Sequence, residues 1–264
     1  MLKHTLARLF LRTLGRTSTG VRLCLDTGLT SGKMLDYVYR NEASGCCGIG
    51  KLIDRRFLAN AGWEAVRLRR KHLEDLLQRA VASLRRRGSE VSMLDIASGP
   101  GAYVIAVVQA VGEENLSARC CDFDERWVRE GQAAADAKGL KRVRFQQGDA
   151  FDREAILAFS PRPNIAIASG FYDWITEDDD VKRSLAILFE ALEPGGYLVL
   201  TNQVSHPDLG FVSAVFTDFH QQPLRMKMRA VARIREWLEQ CGFIQEETLV
   251  DSREYYSVTL ARKP

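Results

Sequence analysis

Val91-Ser92-Met93-Leu94-Asp95-Ile96-Ala97-Ser98-Gly99-Pro100-Gly101 decides how this chain reads. Val91–Ile96 is a short, mostly apolar strand, the next residues form a glycine-rich turn, and Ala102–Val111 has helical character. An open α/β sheet places its ligand at such a turn, outside the carboxyl end of a strand. Gly99 and Gly101 lack the Cβ that would hold a bound molecule away from the backbone. The dinucleotide fingerprint G-x-G-x-x-G is incomplete, because its third glycine would fall on Val104, and no Walker lysine is present. Both of those binding classes are disfavoured.

Downstream, strands and helices alternate. Strands are expected at Ser117–Cys121, Val143–Gln147, Ile165–Ala168 and Tyr197–Asn202. Helices are expected at Glu125–Lys138, Arg153–Phe159, Val181–Leu192 and Ala230–Cys241. Phe243–Val250 and Tyr255–Ala261 are spaced for a closing hairpin. The pattern predicts an α/β protein: a Rossmann-like, doubly wound, mostly parallel seven-stranded sheet with a C-terminal antiparallel hairpin. Upstream, residues 1–88 read as helices and loops, with helical spacing from Leu52 to Leu84 and Gly88 as a C-cap. The expected organisation is an N-terminal helical cap over 1–88 and a catalytic domain over 89–264.

The 264 residues are 46% hydrophobic and 27% charged, which excludes disordered and fibrous classes. A net charge of +3 conceals a split: residues 1–90 hold 18 basic and 8 acidic side chains, the remainder 19 and 26. No apolar run approaches the ~18–20 residues needed to span a bilayer, so stable membrane insertion is not expected. Leu2, Leu6, Leu9, Phe10 and Leu14 follow helical spacing among Lys3, Arg8, Arg12 and Arg16. An amphipathic helix docked on its own protein is preferred there to a targeting segment. The six cysteines form no C-x-x-C pair and histidines number four, so no metal site is expected. Thiols in a reducing cytoplasm are the plain reading.

Two further stations follow the glycine turn. Asp122 ends the second strand, where a carboxylate accepts ribose hydroxyls. Asp124 competes for that role but lies beyond the strand end. Gly148-Asp149-Ala150-Phe151 follows the third strand, where an acid can take an adenine amino group. Together with Pro194-Gly195-Gly196-Tyr197-Leu198, these stations resemble the class I S-adenosylmethionine-dependent methyltransferases. The resemblance implies Asp95, Ser98, Gly99, Gly101, Tyr103, Asp122, Phe123, Asp149, Ala150 and Ser169 as cofactor-binding residues, with S-adenosylmethionine as the cofactor and no metal.

Over the whole chain, Ser31–Asn41, Leu52-Ile53-Asp54-Arg55, Ser169-Gly170-Phe171-Tyr172 and Glu254–Arg262 are similar to a bacterial methyltransferase family, some members of which are fused to α/β-hydrolase domains. Pro100-Gly101-Ala102-Tyr103 stands where that family suggests His-Gly-Arg-Tyr. Asn202-Gln203-Val204-Ser205-His206-Pro207 stands where it suggests Gly-Gln-Pro-Trp-His-Pro. The candidate catalytic residues are Tyr172, whose ring could face a sulfonium, Asn202 and Ser205 as hydrogen-bonding groups, and His206 as a general base. Tyr37, Tyr39, Arg40 and Trp174 are candidate substrate or lid residues. Two chemistries stay open: methyl transfer to a small acceptor in natural-product biosynthesis, or intramolecular closure to azetidine-2-carboxylic acid, since some azetidine-2-carboxylate synthases look like this fold family. A nucleic-acid or lipid acceptor ranks third, because the basic helices lack interleaved aromatics for base stacking. The run Glu177-Asp178-Asp179-Asp180 reads as a helix start, not a metal site.

Overall fold

The computed structural model describes residues 9–218 and 220–264. Leu2, Leu6, Lys3 and Arg8 of the expected N-terminal helix lie outside the described residues; residues 9–12 are helical. The chain forms two compact units, one comprising the residues up to Leu68 with His206–Met226, the other Arg69–Ser205 with Lys227–Pro264.

The first unit contains α1 (Thr19–Thr27), α2 (Gly32–Arg40), α3 (Cys47–Leu58) and the first turns of α4 (Ala61–Arg86). Ser18 and Ser31 cap α1 and α2 by accepting from Val21 N and Met34 N. The spacing from Leu52 to Leu84 suggests one continuous helix, but it breaks between Leu58 and Ala61. There the Asn60 side chain accepts from Gly62 N at 2.8 Å and begins a new helix, as asparagine does when it competes with the helical ladder. Asp54 is the hub of this unit. Its fully buried carboxylate accepts from Ser18 Oγ (2.5 Å), Gly20 N (2.6 Å), Ser44 N (2.9 Å) and the Tyr37 hydroxyl.

The second unit holds a seven-stranded sheet in the order β3-β2-β1-β4-β5-β7-β6. Its strands are β1 (Val91–Ile96), β2 (Leu116–Asp122), β3 (Val143–Gln147), β4 (Ile165–Ala168), β5 (Tyr197–Gln203), β6 (Ile244–Val250) and β7 (Tyr256–Arg262). The first five are parallel, and β7 runs antiparallel to both β5 and β6. This is the expected sheet with its closing hairpin. Alternation along each strand separates two cores. Met93, Ile165, Ile167, Val199 and Val258 meet Leu73, Leu76, Leu77 and Leu84 of α4 and Val104 and Val108 of α5 (Ala102–Val111). Leu94, Ala166, Leu198 and Leu200 meet Leu185 and Leu188 of α8 (Asp178–Ala191), with Trp237 and Leu238 of a helix over Val231–Gln240. Glu177 is the N-cap residue of α8 and Asp178, Asp179 and Asp180 fill its first turn, as expected for a helix start.

Arginines in α4 and just after it account for part of the basic N-terminal third. Arg85 donates to the carbonyls of Val111, Gly112 and Glu114, Arg87 to the Gly195 carbonyl and the Tyr197 hydroxyl, and Arg79 pairs with Glu247. These cations fasten loops of their own unit. All six cysteines are free: Cys24, Cys120 and Cys121 are buried, Cys46 and Cys47 exposed. Burial pushes the Cys121 thiol up to about 12, so it stays protonated.

Candidate functional site

Crossing from β1 to α5, the chain turns at the sheet's carboxyl edge next to the point where strand order reverses between β1 and β4, the position where doubly wound sheets bind ligands. Three consecutive devices shape the turn. Ala97 takes a left-handed backbone at φ 51°, a conformation that costs a non-glycine residue about 1–2 kcal/mol. Gly99 has φ 55°, and a Cβ built on it would meet nothing within 4 Å. Gly101 has φ 60°, but its Cβ would lie 2.7 Å from Phe145 Cζ of β3. The two glycines therefore serve different ends. Gly99 leaves open space beside the backbone, whereas Gly101 admits the Phe145 ring and leads into α5. Gly101→Ala is expected to cost about 2–5 kcal/mol from backbone strain plus overpacking. A thermal melt checks this; adding Phe145→Leu should recover the overpacking share alone.

Asp122 fixes the turn to the end of β2. One carboxylate oxygen accepts from Gly99 N at 2.7 Å and the other from Asp124 N at 2.9 Å. Burial raises its pKa, and these two backbone donors oppose the rise. Each oxygen retains a second lone pair for a hydroxyl. Asp124 is spent locally: it caps the next helix by accepting from Arg126 N and pairs with the Arg126 guanidinium at 2.5 Å. The third station joins the first two, because Gly148 N donates to the Asp122 carbonyl at 3.0 Å. Gln147 Nε2 also donates to the Phe123 carbonyl. Phe123 projects with 76% of its surface exposed. Asp149 is exposed, bonded by Phe151 N at 2.9 Å, and Ala150 is buried beside it. Ser98 is buried and its N–H donates to the Cys121 carbonyl. Ser169 is half-buried just past the β4 residue Ala168, which pairs with Ile96. Asp95, Ser98, Gly99, Gly101, Tyr103, Asp122, Phe123, Asp149, Ala150 and Ser169 thus share the carboxyl edge of β1–β4.

Asp95 lies deepest. It is fully buried and both its oxygens lack a well-formed hydrogen bond. Burial drives its pKa well above the ordinary carboxylate range, with the Tyr103 hydroxyl opposing and the Asp122 charge adding to the rise. From the ordinary carboxylate range upward, the folded state keeps a proton that the unfolded chain releases, so stability falls as pH rises. Asp95→Asn removes that slope. Its gain in melting temperature should be larger at about pH 7 than at about pH 4; equal gains would contradict the burial argument.

The residues expected on the acceptor side are placed differently from that expectation. Tyr172 has no exposed surface: its ring sits in the β4–α8 core and its hydroxyl meets Ser184 Oγ at 3.2 Å. It therefore cannot present a face to a sulfonium, and the apolar run around β4 is what draws it inward. Asn202 is buried, with Nδ2 donating to the Arg229 carbonyl at 2.7 Å. Ser205 Oγ donates to the Glu254 carbonyl at 2.8 Å. Trp174 is half-buried in the turn after β4. His206 belongs to the first unit, where its Nδ1 accepts from Asp208 N at 3.0 Å and burial lowers its pKa, Asp208 opposing. Tyr37, Tyr39 and Arg40 belong to that unit too. Tyr37 is 5% exposed and its hydroxyl is taken up by Asp54 and Ser44, so it holds the unit together instead of facing a substrate. Tyr39 is half-buried, and Arg40 is exposed over the Tyr37 ring.

Sequence reasoning missed a buried polar cluster at the same sheet edge. Asp173 is 2% exposed, accepts from Gln203 N at 2.7 Å and lies 3.6 Å from the Arg69 guanidinium, which stacks over Tyr256 at 4.7 Å. Burial raises the Asp173 pKa, opposed by Arg69, Gln203 N and Arg229. Asp173 directly follows the noted Ser169–Tyr172 motif; nothing in the sequence pointed to Arg69, over a hundred residues away.

This sheet order is the Rossmann-like fold of methyltransferases. Residues 1–263 match the profile of a family described as "Putative methyltransferase", and the chain belongs to that family. It is 36% identical over 263 residues to the uncharacterized protein YnbC of Escherichia coli strain K12, spanning 98% of its own length and 45% of that protein's. In structure it is similar to a possible exported protein from Bordetella parapertussis, with a TM-score of 0.75, 19% identity and coverage of 97% and 87% of the two chains. It is also similar to the magnesium protoporphyrin IX methyltransferase of Synechocystis PCC 6803, solved with bound S-adenosylhomocysteine: TM-score 0.58, 16% identity, coverage of 90% and 98%. At these identities the structural likeness speaks for the fold.

Proposed function

We propose that the chain binds S-adenosylmethionine along the carboxyl edge of β1–β3 and transfers its methyl group to a small acceptor, releasing S-adenosylhomocysteine. The observation that carries this reading is the open space at Gly99 beside a carboxylate, Asp122, that two backbone donors hold in place. Gly99 and Ser98 would line the methionine portion, Asp122 would accept the ribose hydroxyls, and Asp149 with the Ala150 amide would take the adenine, with Phe123 exposed nearby. S-adenosylmethionine supplies an already activated methyl group, so the chain's task is alignment more than strong acid–base catalysis. The free thiols fit a reducing cytoplasm, and among the described residues no helix is long and apolar enough to cross a membrane.

A second reading is favoured by the acceptor side. Asn202 Nδ2 and Ser205 Oγ each donate to a backbone carbonyl, and ring closure of S-adenosylmethionine to azetidine-2-carboxylic acid and methylthioadenosine needs no separate acceptor. Incubating the protein with S-adenosylmethionine alone separates the two. Methylthioadenosine formed without acceptor supports closure and overturns methyl transfer; an intact cofactor does the reverse. His206, if it serves as base, stays neutral through neutral pH and loses that ability only as pH falls through its lowered pKa. Activity should then show an acid limb below about pH 6.5 that His206→Gln abolishes; a profile unchanged in the variant removes His206 from the mechanism.

A further inference from the structure

The helix α3 presents an outward face that the methyltransferase reading does not use. Its inward side buries Gly50, Asp54 and Leu58. Its outward side carries Ile49 at 62% and Leu52 at 58% exposure, among the described residues of the first unit the largest apolar exposures after Leu9. Exposed Lys51, Arg55 and Arg56 surround them. Positions three and four apart share a helix face, so Ile49, Leu52, Arg55 and Arg56 form one continuous strip. No ion pair engages these three cations among the described residues, unlike Arg69, Arg70 and Arg79 of α4, and the helix's one acid, Asp54, is turned inward. The turn Leu14–Thr17 docks on the start of α3 through Cys46 N and the Thr17 carbonyl at 2.8 Å, and adds Leu14, 47% exposed; its Arg16 is paired with Asp26 at 2.7 Å.

We propose that this face seats the first unit on an anionic phospholipid surface. Exposed aliphatic side chains ringed by unpaired cations match a headgroup boundary, where the apolar groups enter the interface and the cations meet lipid phosphates and carboxylates. A second copy of the chain fits poorly, because a two-fold contact would set Lys51, Arg55 and Arg56 against their own equivalents. RNA fits poorly too, since the strip presents aliphatic side chains and no exposed aromatic on which a base could stack. The occupant is independent of the proposed chemistry, as the test requires no turnover.

Sedimentation with vesicles of phosphatidylcholine containing phosphatidylserine should carry the protein down, and vesicles of phosphatidylcholine alone should do so far less. Binding should weaken with added salt, as contacts screened over about 10 Å do. Lys51→Glu with Arg55→Glu and Arg56→Glu should lower partitioning by roughly a hundredfold or more, given about fivefold per cation lost near the surface. Ile49→Ser with Leu52→Ser should lower it with all three cations and the salt response intact. Circular dichroism melts confirm that both variants fold. No sedimentation, or sedimentation that neither variant changes, overturns the proposal. So does a vesicle-free dimer that Ile49→Ser/Leu52→Ser dissociates, or RNA binding lost only in the charge variant without lipid binding.

Discussion

Asp122→Ala is expected to weaken S-adenosylhomocysteine binding by about 10²- to 10⁴-fold, measured by titration calorimetry. Two hydrogen bonds from ribose hydroxyls to a charged acceptor contribute about 1.5–3 kcal/mol each, and every 1.4 kcal/mol is tenfold. The same substitution frees Gly99 N and Asp124 N, which Asp122 holds at 2.7 and 2.9 Å. The glycine turn should therefore also lose amide-exchange protection. Asp122→Asn separates the two roles: its single carbonyl oxygen can keep one backbone donor and so preserve most of the turn, while the paired acceptance of two hydroxyls is lost. Affinity unchanged in both variants would show that the ribose lies elsewhere. Asp124→Ala should cost helix capping, roughly 1 kcal/mol, with little effect on affinity.

Asp54→Ala is the substitution expected to be most damaging to folding. It strands the Ser18 and Tyr37 hydroxyls and the Gly20 and Ser44 amides. A buried donor without a partner costs about 1–3 kcal/mol, so the sum is at least about 4 kcal/mol against a total stability of about 5–15 kcal/mol. Denaturant melts should show the loss, and exchange protection should vanish first in Thr19–Thr27 and Gly32–Arg40. A midpoint unchanged from the parent would mean that Asp54 is not the hub. Asp54→Asn keeps part of the acceptor set and should fall between the two.

The sheet was legible because its signals are local. Alternating apolar runs and glycine turns placed all seven strands to within about two residues, and Asp122 falls at the end of β2 as the pattern requires. The residues proposed to hold the cofactor were singled out on the same local signals, since most of them lie at or just beyond a strand end. The acceptor side was not, because burial there is decided by elements distant in sequence. Tyr172 reads as an exposed aromatic after a glycine, yet α8 covers it and Ser184 takes its hydroxyl. The motif Leu52-Ile53-Asp54-Arg55 stood out by family resemblance but without a physical role; the structure gives Asp54 one, through partners ten to thirty-six positions away. The charge split was legible as a number, but its meaning was not. In α4 and just after it, part of that charge consists of fasteners at Arg79, Arg85 and Arg87, whereas α3 carries cations with no ion pair among the described residues beside exposed aliphatic side chains. The helix at Leu209–Val215 gave no readable signal, being too short for periodicity to emerge.

The central claim is that this chain holds S-adenosylmethionine at the Gly99–Asp122–Asp149 edge. Titration of S-adenosylhomocysteine into the protein, followed by amide exchange of the complex, tests it most directly. One-to-one binding is expected, with new protection at 97–101, 122–124 and 148–151 that Asp122→Ala abolishes. Absence of binding, or protection confined to other segments, would contradict it.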